Sequence, residues 1–217
     1  MTDNPAILFV AMPLAAYVIG STPFGVIIAR AKGVDLRKAG SGNVGATNVG
    51  RTIGRKWGYI CFALDVAKGL LPVLAAGLLL GREEDFPTLA DQLCWLGVGF
   101  GAIAGHVFSF WLRFRGGKGV ATSMGVVVGI YPYFTLPGLC ALGVWILVTL
   151  TSRHVSLGSI AAAASFVPLF VAFRWREVGS LWPLLAFACV VVALIVVRHR
   201  SNIARLLEGR ENSIGRG

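Results

Sequence analysis

The sequence predicts an all-α integral membrane protein, a bundle of seven transmembrane helices, and three observations lead to this prediction. The 217 residues are 56% hydrophobic and only 14% charged, with a mean hydropathy of +0.74, whereas soluble domains carry about 25% charged residues. The chain also contains apolar runs close to the roughly 20 residues that a helix needs to cross a bilayer. Finally, the basic residues are concentrated in alternate loops, as expected for a membrane protein.

We assign seven spans to a single membrane domain over residues 1–217. They lie at 6–30, 57–81, 92–114, 119–134, 136–151, 155–173 and 180–198. The first run is too long for the core of a signal peptide and no basic segment precedes it, so it is predicted to be the first helix. The fourth and fifth spans are the shortest, and Pro132 and Pro137 lie in the turn between them. If those two spans were one broken element, six spans would remain.

The charge distribution predicts which side each loop faces. Most of the 20 Lys and Arg residues follow the first, third, fifth and seventh spans, whereas most of the 10 Asp and Glu residues lie on the other side, several of them in loop 81–86. The positive-inside rule then places the N-terminus outside and the C-terminus in the cytoplasm. The six-span alternative would move the C-terminal arginines outside, which argues against it.

Glycines at intervals of four residues predict close helix packing. Gly97, Gly101 and Gly105 share one face of the third span, and Gly125 and Gly129 share one face of the fourth. Such small-residue faces let helix backbones approach one another in lipid. No internal repeat is evident, so the duplicated halves of a transporter are not indicated.

The segment after the first span, GSGNVGATNVGR (the first glycine segment, 40–51), contains no acid. It spells the dinucleotide fingerprint GxGxxG, but that motif requires a preceding strand, and here membrane helices flank it. Its glycines allow backbone conformations in which N–H groups point toward a bound anion. The planar guanidinium group of an arginine can bind phosphate through two hydrogen bonds. An anion cradle and a packed interfacial loop remain as alternatives. The candidate side chains are Ser41, Asn43, Thr47, Asn48 and Arg51.

The segment RFRGGKGVATS between the third and fourth spans (the second glycine segment, 113–123) places a lysine among glycines at the start of a helix. It is not a P-loop, because glycine follows the lysine. A cation beside free helix N–H groups can nevertheless bind an anion, and anchoring of the topology is the alternative. The candidate residues are Gly116, Gly117, Lys118, Gly119 and Thr122.

Two further polar clusters are predicted on the same cytoplasmic face. Ser156 opens the sixth span, where its hydroxyl could cap the helix or bind an anion. After the seventh span, His199 and Asn202 share a face if this region is helical. The alternative is an interfacial basic helix in which Arg200 and Arg205 extend their charges toward water.

Ionisable residues also occur inside the predicted spans. Asp65 and Lys68 are three residues apart, and each would cost about 2.5–3.5 kcal/mol unpaired at the bilayer centre, so we expect them to pair. His106 is expected to be a hydrogen-bonded structural residue. The four cysteines lie in separate apolar runs without a CxxC motif, so no metal site is predicted. The net charge of +10 is explained by one membrane face, and no nucleic-acid partner is predicted.

Polar residues collected at one membrane face favour an enzyme that joins a phosphorylated substrate to a lipid one. The alternative is a carrier for organic phosphate anions, but a carrier would place its binding residues at mid-membrane on broken helices. The H-x-x-x-x-D dyad of one acyltransferase class is absent, because none of the three histidines is followed by Asp five positions later.

The polar motifs resemble those of the PlsY family, the acyl-phosphate-dependent glycerol-3-phosphate acyltransferases of bacterial membranes. The resemblance runs nearly end to end, through GSTPFG, GSGNVGATNVGR, LDVAKG, GHVFSFWLRFRGGKGVAT, VSLGSI and RHRSNIARLLEGREN. It implies a seven-helix bundle that transfers a fatty acyl group from acyl phosphate to the 1-hydroxyl of sn-glycerol 3-phosphate. The products would be lysophosphatidic acid and phosphate, in phospholipid biosynthesis.

The resemblance also implies a site and its surroundings. The enzyme would lie in the bacterial inner membrane with its active site facing the cytoplasm, without a cofactor. Its partners would be the two substrates and membrane lipid, with an acyl-phosphate-producing enzyme as a further candidate. The implied catalytic residues are Ser41, Arg51, Lys118 and His199. The implied substrate-binding residues are Asn43, Thr47, Asn48, Gly116, Gly117, Gly119, Thr122, Ser156, Asn202 and Glu211. The proton acceptor is left open between His199 and the phosphate of the acceptor substrate.

Overall fold

A computed structural model describes residues 4–80 and 87–214, and every regular element in these ranges is helical. A π-helical turn, Ile7–Ala11, leads into the first α-helix, and a 3-10 turn, Phe110–Leu112, follows the fifth. The α-helices are α1 Met12–Ser21, α2 Phe24–Arg30, α3 Ala46–Ile53, α4 Arg55–Leu79, α5 Leu89–Val107, α6 Val120–Gly129, α7 Thr135–Ser152, α8 Val155–Arg174, α9 Trp182–Arg198 and α10 Arg200–Leu207. The predicted acidic loop 81–86 lies outside the described residues.

Five helical stretches in the described part of the chain are long and apolar enough to cross a bilayer. They are Ile7–Arg30, Arg55–Leu79, Leu89–Leu112, Thr135–Ser152 and Val155–Arg174. Each agrees within a few residues with a predicted span, so the membrane character and five of the span positions are confirmed.

The other two predicted spans differ from the structure. The predicted span 119–134 contains only α6, whose 10 residues rise about 15 Å, half the thickness of a hydrocarbon core. The helix stops at Gly129, and residues 131–134 form a turn that includes Pro132, so apolar composition overestimated its length. The predicted span 180–198 corresponds to α9, which meets α10 at a bend of 55°, and the two pass as one span only together. Seven spans and the sidedness of the termini stay predictions.

The chain forms two compact units, Met1–Ile130 and Tyr131–Gly217. The first contains α1 to α6 and the second contains α7 to α10. The prediction of a single membrane domain is not tested by this division.

In the first unit, glycines bring helix backbones together as predicted. A Cβ at Gly101 would lie 2.4 Å from the Pro13 carbonyl oxygen, and one at Gly105 would lie 2.2 Å from that of Tyr17. A Cβ at Gly125 would lie 2.1 Å from the Val66 carbonyl oxygen. The two glycine-rich spans therefore pack directly against α1 and α4.

In the second unit, α7 and α8 form an antiparallel pair. A Cβ at Gly158 would lie 2.0 Å from Oγ1 of Thr149, so the two helices approach closely there. Near the other end of α8, the buried Phe134 ring makes edge contacts with Phe166 and Phe170, with centroids 5.1 and 5.3 Å away. This aromatic cluster forms the core of the second unit.

Candidate functional site

The first glycine segment is half loop and half helix. Ser41 and Asn43 lie in the loop, whereas Thr47, Asn48 and Arg51 lie on α3, which begins at Ala46. Ser41, Thr47 and Arg51 are exposed. Because α3 starts within the segment, its first backbone N–H groups point toward the loop that carries Ser41 and Asn43.

Asn48 holds the loop in shape. Its side chain is buried, and its Oδ1 accepts a hydrogen bond from the Ser41 backbone N–H at 2.8 Å. Its Nδ2 donates to the carbonyl oxygens of Ala39 at 3.0 Å and Asn43 at 2.8 Å. Gly40 has a φ of +59°, and a Cβ there would lie 2.2 Å from Oδ1 of Asn48. The Asn48 amide is thus committed to the backbone, and its position fits a structural role beneath the exposed side chains.

The inner side of the segment packs on an apolar cluster. Val44 and Val49 are buried in this cluster together with Val26 and Cys61. A Cβ at Gly25 of α2 would lie 2.0 Å from the Val44 carbonyl oxygen. The packed-loop interpretation therefore describes the inner side of the segment, whereas an anion cradle on its exposed, acid-free outer side stays a prediction.

The second glycine segment folds back on the end of α5. The backbone N–H of Gly116 donates to the Val107 carbonyl at 3.0 Å, and that of Gly117 donates to the His106 carbonyl at 3.1 Å. A Cβ at Gly116 would lie 2.0 Å from the His106 carbonyl oxygen, and one at Gly117 would lie 2.2 Å from the His106 Nε2. Neither position has room for a side chain, so the backbone beside Lys118 is held tightly.

Lys118 is half-buried and lies directly before the start of α6. Gly119, with a φ of +86°, turns the chain into that helix. Thr122 is fully buried, and its carbonyl oxygen would lie 2.2 Å from a Cβ at Gly69 of α4. Thr122 therefore belongs to the packing of α6 on α4, and the structure does not place it with the exposed polar side chains.

A long-range hydrogen bond joins the two glycine segments. The Arg37 guanidinium, just before the first segment, donates to the Arg115 carbonyl oxygen in the second at 2.7 Å. The structure thus brings the first two predicted clusters together in the first unit. Arg37 was not predicted to belong to the site, because a contact across 78 residues leaves no local signal in the sequence.

Beneath these segments lies the predicted intramembrane ion pair, which is confirmed. Lys68 Nζ is 2.8 Å from Asp65 Oδ1, and both side chains are 3% exposed. Lys68 also donates to the Thr22 carbonyl oxygen at 2.9 Å. His106 on α5 joins them, with Nδ1 3.6 Å from Asp65 Oδ1.

In the second unit, Glu211 connects the predicted polar residues. Its Oε1 accepts hydrogen bonds from Ser156 Oγ at 2.9 Å and from Asn202 Nδ2 at 2.7 Å. Its Oε2 accepts from Arg205 Nε at 2.7 Å. Burial opposes ionisation of this carboxylate, but the hydrogen bonds from Asn202, Ser156 and Arg205 outweigh burial and hold the pKa of Glu211 below its usual range. Arg205, predicted as an interfacial anchor, instead pairs with Glu211.

His199 lies at the bend between α9 and α10 and is 2% exposed. Its Nδ1 is 2.8 Å from the Ile195 carbonyl oxygen, which can only accept, so Nδ1 carries the hydrogen. In the neutral imidazole, Nε2 is then the proton acceptor.

The segment that follows α10 is hydrogen-bonded to the turn between α7 and α8. The Ile214 backbone N–H donates to the Arg153 carbonyl at 2.7 Å, and His154 Nδ1 lies 3.4 Å from the Asn212 carbonyl oxygen. These contacts hold the segment that carries Glu211 close to Ser156, at the start of α8.

Comparison with known proteins now assigns the chain. A model of the family described as "Glycerol-3-phosphate acyltransferase" matches residues 10–209. Proteins of that name from Geobacter sulfurreducens and Aquifex aeolicus are 49% and 44% identical; each alignment covers 91% of this chain, and 93% and 94% of the respective relative. The carrier alternative is not favoured by such relatives.

Two solved structures are similar over 94% of this chain and 94% of their own. Both are crystal structures of PlsY, described as an integral membrane glycerol 3-phosphate acyltransferase. The glycerol 3-phosphate form is 41% identical with a TM-score of 0.81, and the lysophosphatidic acid form is 40% identical with a TM-score of 0.79. The chain therefore belongs to the PlsY family of glycerol-3-phosphate acyltransferases.

Proposed function

We propose that the protein takes its acyl group from acyl phosphate and transfers it to the 1-hydroxyl of sn-glycerol 3-phosphate. The hydroxyl oxygen attacks the acyl carbonyl carbon, the carbon–oxygen bond to the phosphate breaks, and phosphate leaves with that electron pair. The products are lysophosphatidic acid and, once the hydroxyl proton is counted, hydrogen phosphate. Related structures described with glycerol 3-phosphate and with lysophosphatidic acid support the acceptor and the product.

The donor assignment is supported by the first unit, which contains two cations that we propose bind phosphate. Lys118 lies beside Gly116 and Gly117, which have no room for a side chain, and Arg51 is exposed on α3, one turn after Thr47. An acyl phosphate is already activated, so stabilising the charge on its leaving group is the main task. One fixed donor at such a position is worth roughly 2.7–4 kcal/mol of transition-state stabilisation.

The loop residues divide between contact and support in this proposal. Ser41, Asn43 and Thr47 contribute polar groups to the phosphate site, whereas Asn48 supports the loop through its four hydrogen bonds to the backbone. Thr122 similarly supports Lys118 through the packing of α6 on α4. We therefore propose that Asn48 and Thr122, which were predicted to bind substrate, act by positioning neighbouring residues.

We assign to the second unit the role of orienting the glycerol moiety of the acceptor substrate. Ser156 donates its hydroxyl hydrogen to Glu211, so its oxygen offers lone pairs to a substrate hydroxyl. Asn202 is fixed by the same carboxylate. Glu211 itself can only accept hydrogen bonds when ionised, and its charge would repel phosphate, so it is a positioning residue and not a phosphate ligand.

His199 is the candidate proton acceptor within this unit. Its Nδ1 donates to the Ile195 carbonyl, so Nε2 is the basic nitrogen of the neutral ring, and we assign it the proton of the 1-hydroxyl. The competing route uses a phosphate oxygen of the acceptor substrate. If His199 is the base, His199→Asn lowers kcat by roughly 10²–10⁴-fold. If the phosphate is the base, the loss is smaller and reflects orientation alone.

The location we propose is the bacterial inner membrane, with seven spans, an external N-terminus and an active site facing the cytoplasm. The charge distribution of the loops supports this orientation. In a variant whose four native cysteines are replaced by alanine, a cysteine near Glu84 is expected to react with an impermeant reagent on intact cells, and one near Asn212 is not. Reaction at the Asn212 position alone would overturn the orientation.

The donor is tested with purified protein, radiolabelled glycerol 3-phosphate and three donors: acyl phosphate, acyl-CoA and acyl carrier protein thioester. We expect labelled lysophosphatidic acid with acyl phosphate and little with either thioester. Equal activity with acyl-CoA would refute the proposed donor while leaving the acceptor intact. If acyl phosphate is the donor in cells, an enzyme that produces it is a natural partner.

A further inference from the structure

The buried cluster of Asp65, Lys68 and His106 has no part in the chemistry described above. Asp65 and Lys68 lie three residues apart on α4, and His106 lies near the end of α5. Their side chains are 3%, 3% and 7% exposed, and the ion pair is 2.8 Å long. A buried pair of charges contributes little net stability to a folded protein, which indicates a role for this ion pair other than stability.

The cluster touches the second glycine segment through His106. The carbonyl of His106 accepts the hydrogen bond from the Gly117 N–H at 3.1 Å. The ring also lies against Gly117, because a Cβ there would be 2.2 Å from Nε2. The position of the imidazole, set on its other edge by Asp65, therefore determines where Gly117 lies. Gly117 immediately precedes Lys118.

The cluster supports the first glycine segment through Lys68. Lys68 donates to the Thr22 carbonyl oxygen, which lies at the break between α1 and α2. Gly25, three residues later, is in close contact with the Val44 carbonyl oxygen of the first segment. Asp65, Lys68 and His106 are thus linked to both glycine segments, to the first through Thr22 and Gly25 and to the second through Gly117.

The side chains of the cluster are largely closed off from the surroundings. The Nε2 edge of His106 is covered by Gly117, and the cavity beside the cluster measures about 10 Å³, room for roughly one water molecule. The walls of this cavity include Val44 and Leu112, which belong to the surroundings of the two glycine segments. Because these side chains are almost fully buried, we assign their effect on the reaction to the backbone that packs on them.

We propose that Asp65 is a positioning residue for acyl transfer, acting through His106 and Lys68 to fix the two glycine segments and thereby Lys118. This inference rests on the proposed role of Lys118 in stabilising the phosphate leaving group. Asp65→Asn removes the countercharge of Lys68 and alters the contact with His106. Because displacement of a catalytic group by about 1 Å can cost roughly 100-fold in rate, we expect kcat to fall roughly 10- to 100-fold. The KM for glycerol 3-phosphate should change less, because the lost interaction belongs to the transition state.

The matched control is Trp95→Phe. Trp95 Nε1 donates to the Val73 carbonyl at 2.9 Å, so this buried hydrogen bond joins the same two helices as the cluster. It lies 11 residues before His106 on α5, or about 17 Å along the helix. Its loss should lower the melting temperature without moving the second glycine segment, and kcat should stay within about 2-fold of the parent.

The experiment combines steady-state kinetics with a spin label on a cysteine at position 115, in a variant that lacks Cys94, Cys140 and Cys189 but keeps the fully buried Cys61, whose Sγ lies 3.7 Å from Asp65 Oδ2. We expect Asp65→Asn to increase the mobility of the label and lower kcat, and Trp95→Phe to do neither. Parental kcat and mobility in Asp65→Asn would overturn the inference. A loss of kcat in Trp95→Phe matching that in Asp65→Asn, at a similar melting temperature, would overturn it as well.

A second variant and the activity of the parent protein complete the test. If Asp65→Asn is not monodisperse in detergent, His106→Asn, which leaves the ion pair intact, is judged by the same two readouts. Inactivity of the parent protein with acyl phosphate would refute the proposed function. An active parent with a silent Asp65→Asn would refute only the positioning role.

Discussion

The two units of the chain fix their polar groups by different means. In the first unit, Lys118 is positioned by backbone contacts, because glycines let the chain lie directly on α5 and α4. In the second, Ser156 and Asn202 are positioned by one buried carboxylate, Glu211. The first arrangement is sensitive to added volume, whereas the second is sensitive to a lost charge or hydrogen-bond acceptor. Substitutions of these two kinds should therefore separate the roles of the units.

The largest effect should come from added volume at Gly116. A methyl group there would lie 2.0 Å from the His106 carbonyl oxygen, which is backbone and cannot rotate away. We expect Gly116→Ala to lower kcat/KM at least ~100-fold, or about 2.7 kcal/mol, by displacing Lys118. Gly143→Ala is the control, since a Cβ at Gly143 on α7 meets no atom within 4 Å. Parental activity in Gly116→Ala would show that close packing of this segment is unimportant.

The next effect should come from exchanging the cations. Arg51→Lys loses the planar fork that can bind phosphate with two hydrogen bonds, and Lys118→Arg places a larger head group among tightly packed glycines. We expect each to lose at least ~10-fold in kcat/KM, about 1.4 kcal/mol, with insertion unchanged because charge is kept. The control is Arg200→Lys, on an exposed side chain. Full activity in both exchanges would show that these residues only orient the protein.

A smaller effect is expected at Glu211. Glu211→Gln keeps an oxygen for Ser156 and Asn202 but presents an N–H donor toward Arg205. We expect kcat to fall about 3-fold, because a charge-assisted hydrogen bond is lost while the orientation is partly kept. An unchanged kcat would show that Ser156 and Asn202 need no support from this carboxylate.

The Glu211 carboxylate should also make the stability of the folded protein depend on pH. Because the pKa of Glu211 is lowered in the folded protein, its contribution is fully present above the unfolded-state pKa of about 4.3 and is lost as pH falls through the folded-state value. The melting temperature of the parent should exceed that of Glu211→Gln at pH 7, and the difference should shrink below about pH 4. The exposed Glu208 is the control, and Glu208→Gln should change little at either pH. A difference that grows on acidification would contradict the assigned sign.

The fold was largely predictable because long apolar runs have few alternatives in lipid. Five spans agree with the structure within a few residues, and the glycine faces of α5 and α6 pack as their spacing indicated. The exception is α6. Hydropathy averages over a window and does not show that the helix ends at Gly129, before Pro132, so the length of the helix in the predicted span 119–134 was overestimated.

The site was predictable where its residues are neighbours in sequence. The pairing of Asp65 with Lys68 followed from their spacing on one helix. Contacts across 78 residues, such as Arg37 with Arg115, or across 55 residues, such as Ser156 with Glu211, depend on helix packing and have no local signature. For the same reason, the hydrogen bonds of the Asn48 side chain to the loop backbone were not predicted, and its contact with substrate stays a prediction.

The division of labour between the units is the central claim, and inhibition by inorganic phosphate tests it most directly. The inhibition constant of phosphate should rise at least ~10-fold in Lys118→Arg, because the proposed phosphate site in the first unit is altered. It should stay within about 2-fold of the parent in Glu211→Gln, because the second unit is assigned to the glycerol hydroxyls. Equal shifts in both variants, or a shift in Glu211→Gln alone, would contradict the claim.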